Sequence, residues 1–447
     1  MEYLIVILQF ILSLSILVTL HEFGHFLPAR WFGMRVEKFY LFFNPWFSIY
    51  KVQRGETEWG LGWLPLGGYV KIAGMIDESM DTEAMNQPPQ EWEFRSKPAW
   101  QRLVVMLGGV TVNFILGFFI MSMLLWIYGE KYLPTQNLTN GIAISQIGQE
   151  MGLKNGDKLL AIGDKEMPNF NPRFLLKEIV INMATKIKVQ RDGKDTIIVV
   201  PDSVANKLAS NKNQQLFCAP RVPVVVAEIS KKSPADSAKI QKGDSIIACN
   251  GIPTQYFDEF QQEVVRHKSE KISITLIREG KPVNVDLVTT DKGMVGIAPY
   301  GAERYYTYET KKYSLLAAIP AGIANGWDFL ITNIKALGQM VTGSGRVNAS
   351  ESLGGFYSIA KLFPTEWIWE RFWYMTAILS LILGFMNLLP IPALDGGHAV
   401  FLLIEIVMRR PVPQKVMEYA QVVGFVLLIG LLLFANGMDL IRYIRGE

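Results

Sequence analysis

Cysteine is almost absent from this chain of 447 residues, which contains only Cys218 and Cys249. The two cysteines form no CxxC motif and have no metal-ligand spacing, so the sequence offers no cysteine-based metal site. They are able in principle to pair with each other. We expect instead two unpaired, partly buried thiols.

An excess of positive charge is also lacking. The chain has 44 Lys and Arg residues against 41 Asp and Glu residues, a net charge of +3 and no basic arm, so no nucleic acid partner is expected. Charged residues make up only 19% of the chain and hydrophobic residues 50%, with a mean hydropathy of +0.20. This composition is too apolar for an ordinary soluble protein and predicts a membrane protein.

Four hydrophobic segments are long enough to cross a hydrocarbon layer of about 30 Å. They are Tyr3–Leu20 together with the residues up to His25, Leu103–Tyr128, Trp373–Met408, and Tyr419–Ala435. The third is interrupted at "NLLPIPALDGG" (387–397), where prolines and glycines break a regular helix. No small-residue cleavage site follows the first segment, which argues against a removable signal peptide.

The segment Tyr313–Val341 is ambiguous, because polar residues and Pro320 interrupt its apolar stretches. We interpret it as amphipathic helices lying at the membrane interface, with a fifth span as the alternative. Lysines and arginines follow the first and third spans, which places both loops in the cytoplasm. The N-terminus, residues 131–371 and the C-terminus are then extracytoplasmic, whereas a fifth span would put Arg409 and Arg410 outside.

Three ionisable residues lie at the end of the first span, in the motif "HEFGH" (21–25). On a helix, His21 and His25 lie one above the other, so both imidazoles can bind one zinc ion. Glu22 is next to them and can take a proton from water at the metal, as in other helical HExxH motifs. The alternative is a polar cluster at a helix end that reaches towards water.

A hydrolytic zinc site needs a third protein ligand, and Asp395 is the candidate that we prefer. An ionised carboxylate within a hydrophobic segment is costly unless it is paired or bound to a metal. About 28 Å of helix separates Glu2 from His21, and about 33 Å separates Trp373 from Asp395, so both reach a similar depth near the cytoplasmic side. His398 competes for this role, as a ligand or as a residue behind the ligands.

These motifs, with "LPLGGYVKI" (64–72), "KPAWQRLVVMLGGVTVNF" (97–114) and "NLLPIPALDGGH" (387–398), resemble the site-2 protease family of intramembrane zinc metalloproteases. The resemblance covers nearly the whole chain and is closest to the RseP branch, which has tandem PDZ domains. It implies zinc ligands His21, His25 and Asp395, the catalytic base Glu22, and cleavage of a transmembrane helix near the cytoplasmic side of the bilayer.

The resemblance also implies a substrate-binding region. In the family, the segment that matches residues 60–74 is a strand-rich hairpin that dips into the membrane, and its edge can pair with an extended substrate. The residues Gly67, Gly68 and Tyr69 lie in this segment. A turn-rich cytoplasmic loop is the alternative. The family pattern assigns substrate binding to Asn387, which can also cap the broken third helix.

Two stretches of the extracytoplasmic part, 147–167 and 229–251, follow the same plan of strand, helix, Gly-Asp turn and strand. They resemble PDZ domains, which we place at 131–218 and 219–300. PDZ domains usually capture a C-terminal carboxylate. In the RseP branch they act as a size filter for substrates that another protease has already shortened, and we favour this role here.

Together, the sequence predicts a multi-pass α-helical membrane protein with four transmembrane helices, a membrane-dipping β-hairpin and two extracytoplasmic PDZ-like α+β domains. Residues 1–130 would hold the first two spans and the hairpin, 301–371 the interfacial helices, and 372–447 the last two spans. The location that the resemblance implies is a bacterial inner membrane.

The expected function is zinc-dependent cleavage of single-span membrane proteins within the lipid bilayer, after a site-1 protease has made a first cut. The expected substrates are an anti-sigma factor and signal-peptide remnants, which makes the chain part of a stress response. The alternative is a catalytically inactive membrane scaffold that uses its PDZ domains for quality control.

Overall fold

The computed structural model describes residues 2–65, 67–75, 88–209, 217–343, 345–347 and 354–445. Leu66, which belongs to the expected hairpin, lies outside these ranges. The described chain divides into two compact units. The first unit comprises Met1–Gly129, Lys312–Ile334 and Leu353–Glu447, and the second comprises Glu130–Lys311 and Lys335–Ser352.

The long helices belong to the first unit in whole or in large part. They are α1 (Glu2–Trp31), α2 (Ala99–Ile127), α8 (Leu315–Thr342), α10 (Trp369–Leu388), α11 (Asp395–Met408) and α12 (Gln414–Ile444), with the short α9 (Phe356–Ala360). The second unit contains the short helices α3 (Gln146–Glu150), α4 (Pro172–Val180), α5 (Asp202–Ala209), α6 (Pro234–Ser237) and α7 (Phe257–Arg266).

Strands occur in both units. The first unit has β1 (Val36–Leu41), β2 (Tyr50–Arg54), β3 (Thr57–Leu61) and β4 (Tyr69–Ile72). The second has β5 (Glu130–Pro134), β6 (Ile142–Ile144), β7 (Lys158–Ile162), β8 (Lys165–Glu166), β9 (Asn169–Phe170), β10 (Lys186–Arg191), β11 (Lys194–Val199), β12 (Cys218–Pro220), β13 (Val226–Ile229), β14 (Ser245–Cys249), β15 (Ile252–Pro253), β16 (Lys271–Arg278), β17 (Lys281–Val288), β18 (Ile297–Pro299) and β19 (Glu309–Lys311).

Five described helices are long and apolar enough to cross a membrane, so the chain is a multi-pass membrane protein. They are α1, α2, α8, α10 and α12. The third expected span is divided as predicted, because α10 ends at Leu388 and α11 begins at Asp395. At 14 residues, α11 is about 21 Å long and too short to span the bilayer alone.

The segment at Tyr313–Val341 forms one continuous helix, α8, rather than several helices, so that part of the prediction was wrong, whereas its position at the membrane interface stays a prediction. Pro320 is the sixth residue of α8, so its missing N–H removes one internal hydrogen bond close to the start of the helix. Gly322 lies against Ser122 of α2 and Gly326 against Phe118, and a side chain at either glycine would clash. Small residues let helices pack closely, so α8 is a fifth candidate span, and the count of four stays a prediction.

The expected hairpin at 60–74 was also wrong, because β3 and β4 do not pair with each other. The sheet order is β2-β3-β1-β4, so β1 lies between them. It pairs in parallel with β3 and antiparallel with β4. Val36, Phe39 and Tyr40 of β1 are buried, so the central position of β1 covers apolar surface that a two-stranded hairpin would leave exposed.

The backbones of α1 and α2 come very close where Gly24 faces Gly108. A Cβ atom built on Gly24 would lie 2.5 Å from the Gly108 oxygen, and one on Gly108 would lie 1.9 Å from the Gly24 oxygen. Any side chain at these positions would force the two helices apart. This crossing therefore brings the "HEFGH" turn of α1 into direct contact with α2.

The second unit has two separate hydrophobic cores. One contains Leu133, Cys218 and Tyr306, and the other contains Val224 and Cys249. Both cysteines are free, as predicted, and they are fully buried rather than partly buried. Burial raises the pKa of the Cys218 thiol to about 12 and, together with the nearby Glu263 carboxylate, that of Cys249 to about 11.

Each half of this unit has an equivalent ion pair between a buried aspartate and an arginine. Asp157 accepts two hydrogen bonds from Arg191, and Asp244 accepts two from Arg278, and the partners are 34 positions apart in both pairs. The expected Gly-Asp turns thus occupy equivalent places in the two halves of this unit. The PDZ identity of both halves stays a prediction, as do the boundaries 131–218 and 219–300.

Candidate metal centre

His21 and His25 lie one turn apart on α1 and point their Nε2 atoms at the same place. The two Nε2 atoms are 3.3 Å apart, and both residues are buried. The Nδ1 atom of His25 lies 2.9 Å from the backbone oxygen of Val105 in α2. A backbone carbonyl can only accept a hydrogen bond, so the His25 proton is on Nδ1 and the Nε2 lone pair is free to bind a metal.

Asp395 brings a carboxylate to this pair from the first residue of α11. Its Oδ2 atom lies 3.3 Å from His21 Nε2 and 3.4 Å from His25 Nε2. The ligand atoms of these three residues all lie within 4.8 Å of one another. His398 lines the adjacent cavity but does not belong to this group, so the structure brings Asp395 rather than His398 to the two imidazoles.

His21, His25 and Asp395, the trio, have ligand atoms that are suitable for a zinc ion. Asp395 Oδ2 is buried and has no hydrogen-bond partner, which is costly for a carboxylate oxygen unless a cation binds it. Two imidazole nitrogens and one carboxylate oxygen are a common zinc ligand set that leaves a fourth position open. The site therefore has the donor atoms and the unsatisfied charge that zinc requires.

Glu22 lines the same cavity as the three candidate ligands. It is 9% exposed, and the backbone N–H of Val70 in β4 donates a hydrogen bond to its carboxylate. A Cβ atom built on Gly68 would lie 3.5 Å from Glu22 Cγ and 2.6 Å from the backbone oxygen of Tyr40. The sheet edge therefore lies directly against Glu22 and holds its carboxylate at the cavity.

The cavity has a volume of about 840 Å³, which is large enough for several residues of an extended peptide. Among the expected substrate-binding residues, Gly68, Tyr69 and Asn387 line it, and the Nδ2 atom of Asn387 lies 3.3 Å from His21 Nε2. Gly67 is not among the described residues that line the cavity, and it is next to the Phe43 ring. Gln421 and Phe425 of α12 complete the lining.

The contribution of α2 to the site was not predicted from the sequence. Gly109 lies so close that a Cβ atom there would be 2.4 Å from His25 Nε2. The side chain of Asn113 lies 3.0 Å from His21 Nδ1 and is completely buried. A signal was present, since a polar amide inside a hydrophobic segment usually has a functional partner.

The fold and the trio define a class, the membrane metallopeptidases with an HExxH helix. The family model of peptidase family M50 matches residues 9–431 of this chain. The chain therefore belongs to peptidase family M50 and is a metalloprotease.

Curated relatives match over nearly their whole lengths. The chain is similar to "Regulator of sigma-E protease RseP" of Escherichia coli strain K12, with 29% identity over 95% of this chain and 97% of the relative. It is similar to "Protease RseP" of Yersinia pestis, with 28% identity over 95% and 96%. It is also similar to "Putative zinc metalloprotease" of Vibrio cholerae, with 27% identity over 97% and 98%.

The predictions of an intramembrane protease, of the site-2 protease resemblance and of zinc as cofactor are confirmed by the family match together with the trio. No comparison tests the role of any single residue. The assignments of His21, His25, Asp395, Glu22 and the substrate-binding residues therefore stay predictions.

Proposed function

We propose that this protein cuts single-span membrane proteins within the bilayer with a zinc ion held by His21, His25 and Asp395. The observation that carries the proposal is the buried Asp395 Oδ2, which has no hydrogen-bond partner and faces two imidazole nitrogens. When bound, the zinc ion acidifies water and polarises the scissile carbonyl. The side chains around it supply the rest of the chemistry.

Glu22 is the general base in this proposal. Its carboxylate lines the cavity beside the trio and is held by the Val70 N–H, so it can accept a proton from the attacking water. The same carboxyl group then delivers the proton to the leaving amide nitrogen. Burial keeps bulk water away from Glu22 and maintains its orientation during both transfers.

The substrate must unwind before its carbonyl can be attacked, because a transmembrane helix uses its carbonyls in internal hydrogen bonds. The unwound segment needs new partners, and β4 at the edge of its sheet can provide them by strand addition. Gly68 and Tyr69 lie beside the segment in this arrangement, and the Asn387 amide binds its backbone. Gly67 acts by shaping the turn that precedes β4.

The biological role that we propose is regulated intramembrane proteolysis. The name of the Escherichia coli relative refers to sigma-E regulation, which supports an anti-sigma factor as substrate, with signal-peptide remnants as further substrates. A site-1 protease makes the first cut, and the two PDZ-like domains exclude substrates that are still too long. The protein lies in a bacterial inner membrane, with these domains in the periplasm and the metal centre towards the cytoplasm.

The replacement Glu22→Gln tests the assignment of the base. It keeps the size and burial of the side chain but removes proton acceptance, so cleavage should fall by about a hundredfold or more while zinc content stays the same. The assay is co-expression with a panel of truncated single-span substrates, and the readout is the shortened product.

The matched control is Glu56→Gln, an exposed glutamate whose partner is Arg30 at the protein surface. This variant should cleave like the wild type. Unchanged cleavage by Glu22→Gln would refute the role of Glu22. Zinc-free wild-type protein that still binds substrate would favour an inactive scaffold.

A further inference from the structure

Asn113 is a completely buried amide in α2 that contacts a candidate zinc ligand. Its Nδ2 atom lies 3.0 Å from His21 Nδ1, and its Oδ1 atom is buried without a hydrogen-bond partner. Among the described residues no other side-chain hydrogen bond to His21 Nδ1 is found. This amide is therefore the side-chain partner of His21 Nδ1 in the described part of the chain.

The orientation of the amide matters for metal binding. If Nδ2 donates to His21 Nδ1, the imidazole proton must be on Nε2, the atom that faces Asp395 and His25. A protonated Nε2 cannot bind a metal. If the amide is turned by 180°, Oδ1 accepts a proton from Nδ1 and the Nε2 lone pair becomes free.

The two orientations cannot be told apart from the shape of the side chain, because the amide oxygen and nitrogen are nearly equal in size. Each orientation leaves one atom of the Asn113 amide without a partner, so the hydrogen bonds of Asn113 itself do not favour either one. Metal binding does favour one of them, since only the turned amide leaves Nε2 available.

We propose that Asn113 is a positioning residue that accepts a hydrogen bond from His21 Nδ1 through Oδ1 and thereby selects the tautomer that binds zinc. This inference rests on the proposed zinc site. It assigns to Asn113 the task that the Val105 carbonyl performs for His25. Both candidate histidine ligands are thus oriented by α2, one by the backbone and one by a side chain.

The surroundings of Asn113 hold it in place. The Ser380 hydroxyl of α10 donates a hydrogen bond of 2.8 Å to the backbone oxygen of Asn113. A Cβ atom on Gly384, one turn further along α10, would lie only 3.3 Å from Asn113 Cβ. Contacts from α10 thus fix the backbone and side chain of Asn113, as an orienting residue requires.

The test compares two substitutions in the purified full-length protein. Asn113→Leu has a similar size but no acceptor, whereas Asn113→Asp keeps an acceptor oxygen. Zinc affinity is measured by competition with a chromophoric chelator, and the visible spectrum of the cobalt-substituted protein reports ligand geometry. We expect zinc affinity to fall by about 10- to 100-fold in Asn113→Leu, with an altered cobalt spectrum, and to stay within about tenfold of wild type in Asn113→Asp.

Ser122→Ala is the matched control, because Ser122 is a nearly buried polar residue of the same helix whose hydroxyl donates to the Phe118 oxygen. It should bind zinc like the wild type. Wild-type zinc affinity in Asn113→Leu, or an equal loss in Asn113→Leu and Asn113→Asp, would overturn the inference. If Asn113→Leu does not fold, a loss above about tenfold in Asn113→Asp overturns it.

The controls also separate this inference from the proposed function. A wild-type protein that binds no zinc would refute the zinc site itself. Zinc binding by the wild type together with unaffected binding in Asn113→Leu would refute only the role of Asn113.

Discussion

Each unit of this protein has an aspartate that is largely removed from water, Asp244 with its side chain 2% exposed and Asp395 with its side chain 16% exposed, but their surroundings differ. Asp244 in the second unit accepts hydrogen bonds from Arg278 Nε at 2.8 Å, from Arg278 Nη2 at 2.6 Å and from the backbone N–H of Gln241 at 2.8 Å. Asp395 in the first unit has an oxygen that is buried without any such partner. Both carboxylates are largely removed from water, yet only one is satisfied by the protein itself.

This difference separates a structural carboxylate from a functional one. A buried charge that a guanidinium and a backbone amide neutralise is stable as it is and has nothing left to bind. A buried carboxylate oxygen beside two imidazole nitrogens has unused capacity for a cation. Whether each carboxylate oxygen has a hydrogen-bond partner thus indicates the role of a carboxylate better than burial alone.

The largest effect is expected from Asp395→Asn. This change removes the only anionic ligand of the trio, so zinc binding should weaken strongly and cleavage should fall by about a thousandfold. Metal content and cleavage of a truncated single-span substrate are the two measurements. The thermal midpoint of the metal-free protein should change little, since Asp395 Oδ2 makes no hydrogen bond that the substitution removes. Zinc binding at wild-type affinity would contradict the contrast drawn above.

A smaller effect is expected from Arg278→Met, which leaves Asp244 buried without its cation. We expect the free energy of unfolding of the second half of the second unit to fall by about 2 kcal/mol. This loss is smaller than for a fully buried ion pair because the Arg278 side chain is 25% exposed. Hydrogen exchange of the β14 and β16 amides in the full-length protein measures this loss.

Arg266→Met serves as the control for that substitution, because Arg266 pairs with Glu263 but its side chain is 69% exposed. In Arg266→Met, the free energy of opening obtained from hydrogen exchange should change by less than about 0.5 kcal/mol. Equal losses in Arg278→Met and Arg266→Met would show that burial does not distinguish these ion pairs.

The smallest expected effect is a loss of stability at acidic pH. Burial alone would raise the pKa of Asp244, but the hydrogen bonds from Arg278 and Gln241 outweigh it and hold the pKa below the ordinary value of 3.8. The ionised group therefore stabilises the fold above about pH 3.8, and this contribution is lost as the pH falls through the lower, folded-state pKa.

Hydrogen exchange of the same β14 and β16 amides between pH 5 and pH 2 measures the loss. Arg278→Met should flatten this dependence, because the group that lowers the pKa is gone. A dependence as steep as that of the wild type in Arg278→Met would assign the acid sensitivity to another carboxylate.

Helical features of the site were predictable from the sequence, and features that depend on distant pairing were not. His21, Glu22 and His25 follow from the 3.6-residue period of one helix, and Asp395 follows from its depth in another hydrophobic segment. The hairpin at 60–74 was wrong because β1, far from β4 in the chain, takes the central place in the sheet. Pairing between strands that are distant in the chain leaves no local pattern in the amino-acid sequence.

The role of α2 was missed for a related reason. Asn113 was not predicted as a site residue, because its partner His21 lies in another helix. Gly108 and Gly109 could not be recognised as contact residues from the sequence either, because their role depends on which helix they face. In the second unit, β19 pairs with the distant strand β5, so the first part of the expected helical region 301–371 contains a strand, and α8 begins at Leu315.

The contact between Gly24 and Gly108 restricts the route by which a substrate reaches the zinc site. A helix with its side chains is about 10 Å wide, and two backbones in contact leave no opening of that size. The seam between α1 and α2 is thus sealed from the lipid. A target helix therefore cannot enter between α1 and α2, and the cavity lining outside this seam includes Tyr69 of β4 and Phe425 of α12.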